Sequence, residues 1–277
     1  MPMNSVNTNV GAMVALQNLA ATQNDLSVTQ ARINTGLKIS SAKDNGAIWA
    51  IAQNQRSTSQ SLNAVKDSLQ RASSTVDVAL SAGESVSDLL LQMKEKALAA
   101  SDVTLDTNSR TALNDDFKSL RDQIAKVVAN ADFNGANMVK SSGSQIQALA
   151  NADGSSVISV AAQDLSLGGS AMGSLAATSS IGTQTLASGM IATVDSAITA
   201  VSSSLAKLGT GSKALQSHLT FVGKLQDTLD AGIGNLVDAD LAKESAKLQA
   251  LQTKQQLGIQ ALAIANQSSS VLLSLFR

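Results

Sequence analysis

Near the start of the chain, apolar side chains recur every seven residues at Ala12, Leu19, Leu26 and Ile33, with Leu16 and Leu37 in the adjacent positions on that face. The spacing predicts a helical seam of the coiled-coil kind, interrupted by Gln23 and Gln30. After Gly36, the stretch from Ser40 to Gly46 has turn and cap chemistry, and a second helix is predicted from about Ala47. From there to about Ser101 the helical pattern carries Leu62, Val65, Leu69, Val76, Leu80, Leu90 and Met93, with Gly83 its one glycine. A continuous helix of roughly 55 residues would run roughly 80 Å at 1.5 Å per residue. A polar break from Ser101 to Ser109 precedes a further helix over about Arg110 to Ala131, whose Leu113, Phe117, Leu120, Ile124 and Val127 suit an antiparallel return.

The pattern changes after Phe133-Asn-Gly135. Gln145–Leu149 and Val157–Val160 read as two short strands around the turn Asn151-Ala-Asp-Gly154, a β-hairpin. Residues 166–189, rich in Gly, Ser, Ala and Thr, are expected to form a loose surface segment. Helical spacing resumes at about Ile191 with Val194, Ile198, Val201, Leu205 and Leu208, and continues past Gly211 through Leu215 and Val222 to Leu229. Asp238 and Asp240 are placed to cap a last helix and to complement its positive end. Its seam includes Leu241, Leu248, Leu251, Leu262, Leu272 and Phe276, although Glu244, Gln255, Gly258 and Ser269 share that face by heptad count. The last apolar run holds Leu272, Leu273, Leu275 and Phe276. Both terminal helices therefore carry apolar stripes that need a partner.

Composition narrows this to slender helix-on-helix packing. Of the 277 residues 44% are hydrophobic but only 2% aromatic, so Ala, Leu, Val and Ile do the packing. The one proline is Pro2, so nothing downstream breaks a helix in that way. Twenty Lys and Arg balance 21 Asp and Glu, with no basic run to follow a phosphate backbone, which argues against nucleic acid as a partner. Cysteine is absent, removing disulfides and thiol chemistry together. Met1–Asn9 lacks the basic and apolar regions of a conventional secretory signal, so a cytoplasmic protein or another export route is expected.

No enzyme chemistry emerges, and neither cofactor nor metal nor catalytic residue is expected. His218 is the sole histidine, too few for a two-histidine zinc motif, and is read as a surface or satisfied interior residue. Gly209-Thr-Gly-Ser-Lys213 lacks the Gly-Lys-Ser/Thr order and the preceding strand of a phosphate loop, and is read as a helix break or hinge. Gly168–Gly173 lacks dinucleotide-loop spacing, and the Asn151–Gly154 stretch lacks the following acidic ligand of a calcium loop. Residues 255–276 carry no charge and have the length of a bilayer span, but their Gln, Asn and Ser make lipid costly and helix packing the better reading.

At both ends the chain resembles the bacterial flagellins. The amino-side stretch from Ser5 to Gln53 is similar to that family's Asn-Thr-Asn opening, Leu-rich helix, Thr-Gly-Leu-Lys-Ile turn and following Ala-Lys-Asp segment. The carboxyl-side stretch from Asn235 to Arg277 resembles its Asp-Ala-Asp, Glu-Ser and Ala-Asn signatures and apolar finish, and Phe133-Asn-Gly135 sits where the family places it. The short middle and the high Ala and Ser content resemble flagellins of alphaproteobacteria.

The resemblance implies a mainly α fold: a long antiparallel helical rod and a terminal coiled coil, with a small β-hairpin region in the middle. It implies an inner coiled-coil domain of residues 1–43 with 236–277, a helical rod of 44–139 with 190–235, and a hairpin and outer segment over 140–189. It implies a structural subunit that polymerises into the flagellar filament for swimming, with the chain itself as principal partner. Further partners would be the cap and hook-junction proteins, an export chaperone and the type III export apparatus, with no membrane insertion and an extracellular location. The alternative is a hook–filament junction protein or another type III-exported long-helix assembly protein. The self-assembly interface is expected at Leu16, Leu19, Leu26, Ile33, Leu37, Leu248, Leu251, Leu262, Leu272, Leu273, Leu275 and Phe276. Gln92 and Lys96 stand where the family segment recognised by the animal Toll-like receptor carries Arg and Leu, so weak receptor recognition is expected.

Overall fold

A computed structural model describes the backbone of residues 8–274 and the side-chain surroundings of residues 8–267. Among the described residues the elements are α1 (Val10–Thr35), α2 (Gly46–Ala100), α3 (Thr107–Asn130), β1 (Ile146–Leu149), β2 (Val157–Val160), α4 (Gln184–Val237) and α5 (Leu241–Ser274). The mainly α fold with one small hairpin is the one expected. The chain divides into two compact units, Met1–Ser57 with Thr228–Arg277, and Thr58–Asp227.

In the second unit the α2 seam is unusually regular. Leu62, Val65, Leu69, Ala72, Val76, Ala79, Gly83, Val86, Leu90, Met93, Ala97 and Ala100 alternate steps of three and four, and all are buried. That is a 3.5-residue repeat, the period of helices that pack knobs into holes. Helix α4 answers with Val194, Ala197, Val201, Ser204, Leu208, Leu215 and Val222, also buried. The two run antiparallel, with Lys94 paired to Asp195 at 2.6 Å, Lys66 donating to Gln226 at 3.1 Å, and a Cβ at Gly83 lying only 2.6 Å from Leu205 Cδ2. Gly83 thus admits the facing leucine rather than ending the helix.

Asp106 caps α3 by accepting from the Ser109 amide at 2.8 Å, and Arg110 ties the turn by donating to the carbonyls of Ala100 and Asp102. Phe117, Ile124 and Val128 of α3 are buried, and Lys96 of α2 meets Asp116 at 3.0 Å. The hairpin pairs Ile146 with Val160 through Leu149 with Val157. Its inner face, Ala148 and Val160, is buried against the helices, and the Leu149 amide donates to Ser68 Oγ at 3.1 Å.

Two expectations are corrected here. Residues 166–189 are not a loose surface segment: Met172, Leu175, Ile181 and Ala187 are buried, as is Leu165 just before them. Asn114 accepts from the Ile181 amide at 2.8 Å, and Arg121 donates to the Ser179 carbonyl at 3.0 Å. A few well-placed apolar anchors and buried amide partners order a stretch whose average composition is that of a loop. Helix α4 accordingly starts at Gln184, seven residues before the predicted start at Ile191. Nor is Gly209–Lys213 a break, because α4 runs through it. A Cβ at Gly211 would stand 2.6 Å from Val160 Cγ1, so this glycine is where β2 lies on the helix.

The first unit closes around Ile39, Ala52, Ile233 and Val237, with Leu37, Ile48, Trp49 and Leu236 packed against them. Backbone bonds from Lys38 to Val237 (2.7 Å) and from Ala239 to Gly36 (2.9 Å) join the stretch after α1 to the link between α4 and α5. Gly36 sits at φ 71°, the left-handed conformation that ends a helix without a Cβ clash. Asp44 then gathers the Ser40 and Ser41 amides and hydroxyls at 2.9 to 3.2 Å, and Asn45 Oδ1 accepts from Ile48 at the start of α2.

Candidate assembly surface on the terminal helices

Helices α1 and α5 pair antiparallel, as three contacts at successive heights show. Asn9, the N-cap of α1, accepts from the Ala12 amide at 3.0 Å and donates to the Ala265 carbonyl at 2.8 Å. Leu19 packs onto Gly258, where a Cβ would lie 3.3 Å from its Cδ1, and Arg32 Nη1 meets Glu244 Oε1 at 3.2 Å. The residues turned inward on α1 are Ala12, Ala15, Leu19, Thr22, Leu26, Thr29 and Ile33; on α5 they are Glu244, Leu248, Leu251, Gln255, Gly258, Leu262 and Ala265. Both rows keep strict three-and-four spacing.

This corrects the expected seam at one position per heptad. Counting apolar residues favours Leu16, Gln23 and Gln30, whereas the pair uses Ala15, Thr22 and Thr29. Small side chains allow close approach, and Thr22 satisfies its hydroxyl by donating to the Asn18 carbonyl at 2.8 Å. Glu244, Gln255 and Gly258, which looked like interruptions of the α5 face, are members of the row.

The predicted interface residues therefore separate. Leu19, Leu26, Ile33, Leu248 and Leu262 are half-buried and Leu251 is buried, all within the α1–α5 seam. Leu37 packs instead against the small core around Ile39. Leu16 points away from α5 and stays 58% exposed. Leu272, Leu273, Leu275 and Phe276 lie outside the residues whose side chains are described.

Sequence reasoning missed a second set of apolar residues. Val10, Met13, Val14 and Val28 on α1, and Leu257, Ile259 and Ile264 on α5, are exposed, Ile264 by 69%. Their signal was present as apolar residues off the heptad, legible only once the seam register is known. Apolar side chains thus lie on the inner and outer sides of both helices, the pattern of a helix covered by further neighbours. Covering the remaining surface of each such side chain is worth about 1 kcal/mol.

The other candidate chemistry is structural. His218 Nε2 donates to the Ala150 carbonyl at 2.7 Å, holding the hairpin to α4, with its ring 5.6 Å from that of Phe221. In the Asn151–Ser156 turn Asp153 accepts from Ser155 and Asn151 from the Ser156 amide. Among the described residues no cluster of three or more His, Cys, Asp or Glu could hold a metal ion. Helix α4 is the one described helix apolar and long enough to cross a bilayer by composition, and its Val194–Val222 row is buried against protein.

Comparison with known proteins agrees with this architecture. Residues 6–144 match the family model of the bacterial flagellin N-terminal helical region, and residues 191–276 that of the bacterial flagellin C-terminal helical region. Flagellin FljM of Caulobacter vibrioides is 62% identical over 277 residues, covering the whole of both chains. A flagellin of Brucella melitensis is 36% identical, across 99% of this chain and 100% of its own. Among solved structures, a putative flagellar hook-associated protein from Vibrio parahaemolyticus covers 70% of this chain and 100% of its own with a TM-score of 0.58 at 14% identity, a likeness of fold. Terminal helices with apolar residues both in and outside their seam, and whole-length identity to filament proteins, place this chain in the bacterial flagellin family, as a structural subunit of the flagellar filament.

Proposed function

We propose that polymerisation is driven by the terminal pair α1–α5, whose outward apolar residues are covered by other copies of the chain. The observation that carries this is the exposed set Met13, Val14, Leu16, Leu257, Ile259 and Ile264 on helices whose mutual seam is already filled. A surface that meets a different surface of the next copy, without closing, builds a helical polymer. In this reading the seam leucines Leu19, Leu26, Ile33, Leu248, Leu251 and Leu262 hold the pair together. Leu16, with Leu272, Leu273, Leu275 and Phe276, faces neighbouring subunits.

Residues 1–43 with 236–277 then form the inner domain, 44–139 with 190–235 the rod, and 140–189 the outward segment it carries. The absence of cysteine and the confinement of proline to position 2 suit a chain exported unfolded, with no disulfide and no internal X-Pro isomerisation to wait for. Export through the type III apparatus with a chaperone, assembly beneath a cap onto hook-junction proteins, and an extracellular location belong to the same proposal. A hook–filament junction protein would share the fold, but whole-length identity of 62% to a flagellin favours the filament subunit.

Deletion of residues 268–277 tests the proposal. The shortened chain is expected to remain soluble with the helical and hairpin signals of Thr58–Asp227, and to form no filaments when seeded with filament fragments under electron microscopy. Filaments of normal appearance would overturn it.

A further inference from the structure

Most of the α1–α5 seam discriminates poorly between registers. Ala12, Ala15, Thr22 and Thr29 on one side, and Gln255, Gly258 and Ala265 on the other, exchange one small or polar residue for another if the helices slide by a heptad. The Arg32–Glu244 pair at one end is different in kind. Arg32 is in the last turn of α1 and Glu244 in the first turn of α5, so each charge also complements its own helix end.

As a stabiliser the pair is poor. Its side chains are only 28% and 12% exposed, it rests on a single 3.2 Å contact, and Arg32 Nε and Glu244 Oε2 are buried without a hydrogen-bond partner among the described residues. Thr29 Oγ1, one turn away on α1, is in the same state. Desolvation with incomplete pairing offsets the attraction between the charges. In a slipped register the cost is greater, because a shift of one heptad sets Arg32 against Leu251 or Val237 and leaves a desolvated charge alone.

We propose that Arg32 and Glu244 are positioning residues that set the antiparallel register of α1 on α5, contributing specificity rather than stability. The consequence for filaments rests on the assembly reading above: one register gives the outward residues Met13, Leu16 and Ile264 one fixed phase for their neighbours. The register itself is a property of the single chain.

The chain's lack of cysteine makes register measurable by engineered cross-links. Ala15→Cys with Ala261→Cys, two positions that line one groove between the helices, reports the native register; Ala15→Cys with Lys254→Cys reports a slip of one heptad, about 10 Å. In assembled full-length chain carrying native Arg32 and Glu244, the first pair is expected to cross-link about tenfold more than the second. In the Arg32→Met, Glu244→Leu background, circular dichroism should show unchanged helix content while the two yields become comparable. The reversed pair Arg32→Glu, Glu244→Arg should restore the preference in part, since its charges oppose the helix ends.

Retention of the full native preference in the apolar double variant would overturn the proposal. Should that variant fail to fold, Glu244→Gln, nearly the same size, is expected to reduce the preference several-fold, and an unchanged ratio there would overturn it equally. Native cross-links in soluble wild-type chain that forms no filaments would count against the assembly reading and support the register claim.

Discussion

Gly211 and Gly223 lie on the same helix and differ in what a methyl group would meet. At Gly211 an added Cβ would approach Val160 Cγ1 to 2.6 Å and Cγ2 to 3.0 Å; at Gly223 nothing lies within 4 Å. Valine is stiff at χ1, so it cannot swing aside and the strand itself must move. Overpacking costs about 1–3 kcal/mol, against a helix-propensity gain of about 1 kcal/mol. Gly211→Ala is therefore expected to destabilise Thr58–Asp227 and to speed hydrogen exchange in the hairpin, while Gly223→Ala stabilises by about 1 kcal/mol. Urea denaturation of the two variants checks both signs.

Whole elements here depend on capping carboxylates. Asp44 is held below the usual carboxylate range by the amides of Ser41 and Ser40, and Asp106, at the head of α3, by the amide and then the hydroxyl of Ser109. Asp102 and Asp153 are lowered in the same way by Thr104 and Ser155. A carboxyl that binds its proton less tightly when folded confers stability that is complete above its unfolded value near 3.8. That stability is lost as pH falls through the lower folded value. Asp106→Asn keeps an acceptor but removes the titration, so its urea midpoint should fall less than that of the unaltered chain between about pH 5 and about pH 3. Equal acid slopes would show that the cap does not titrate with folding. The 166–183 segment is held differently, by neutral groups: Asn114 on the Ile181 amide and Asn137 on the amides of Val139 and Lys140, at 2.8 to 3.0 Å.

For the whole molecule, the informative comparison is between two leucines of the terminal helices. Leu251 is 7% exposed inside the α1–α5 seam, and Leu16 is 58% exposed outside it. An aspartate at 251 desolvates a charge within the chain and should separate the pair, lowering helix content measured by circular dichroism. Leu16→Asp should leave helix content intact and act only on polymerisation, raising the critical concentration about tenfold for each 1.4 kcal/mol lost between subunits. An unchanged critical concentration would mean that Leu16 faces solvent in the filament.

The long helices, the hairpin and the need of the terminal helices for partners are local properties, and the sequence displays them directly. Heptad spacing at Ala12, Leu19, Leu26 and Ile33, a β-alternating pair around Asn151–Gly154, and the confinement of proline to position 2 each follow from backbone geometry within a few residues. Which side of α1 meets α5 is not local. Leu16 is the stronger hydrophobe, yet Ala15 takes the inner position, because close approach to Gly258 and the Arg32–Glu244 pair weigh on the opposite helix. The ordering of residues 166–183 is equally nonlocal, since a Gly- and Ser-rich stretch is fixed by Asn114 and Arg121, on a helix more than forty residues earlier. Composition reports what a segment does alone; burial and hydrogen-bond pairing depend on what the fold brings beside it.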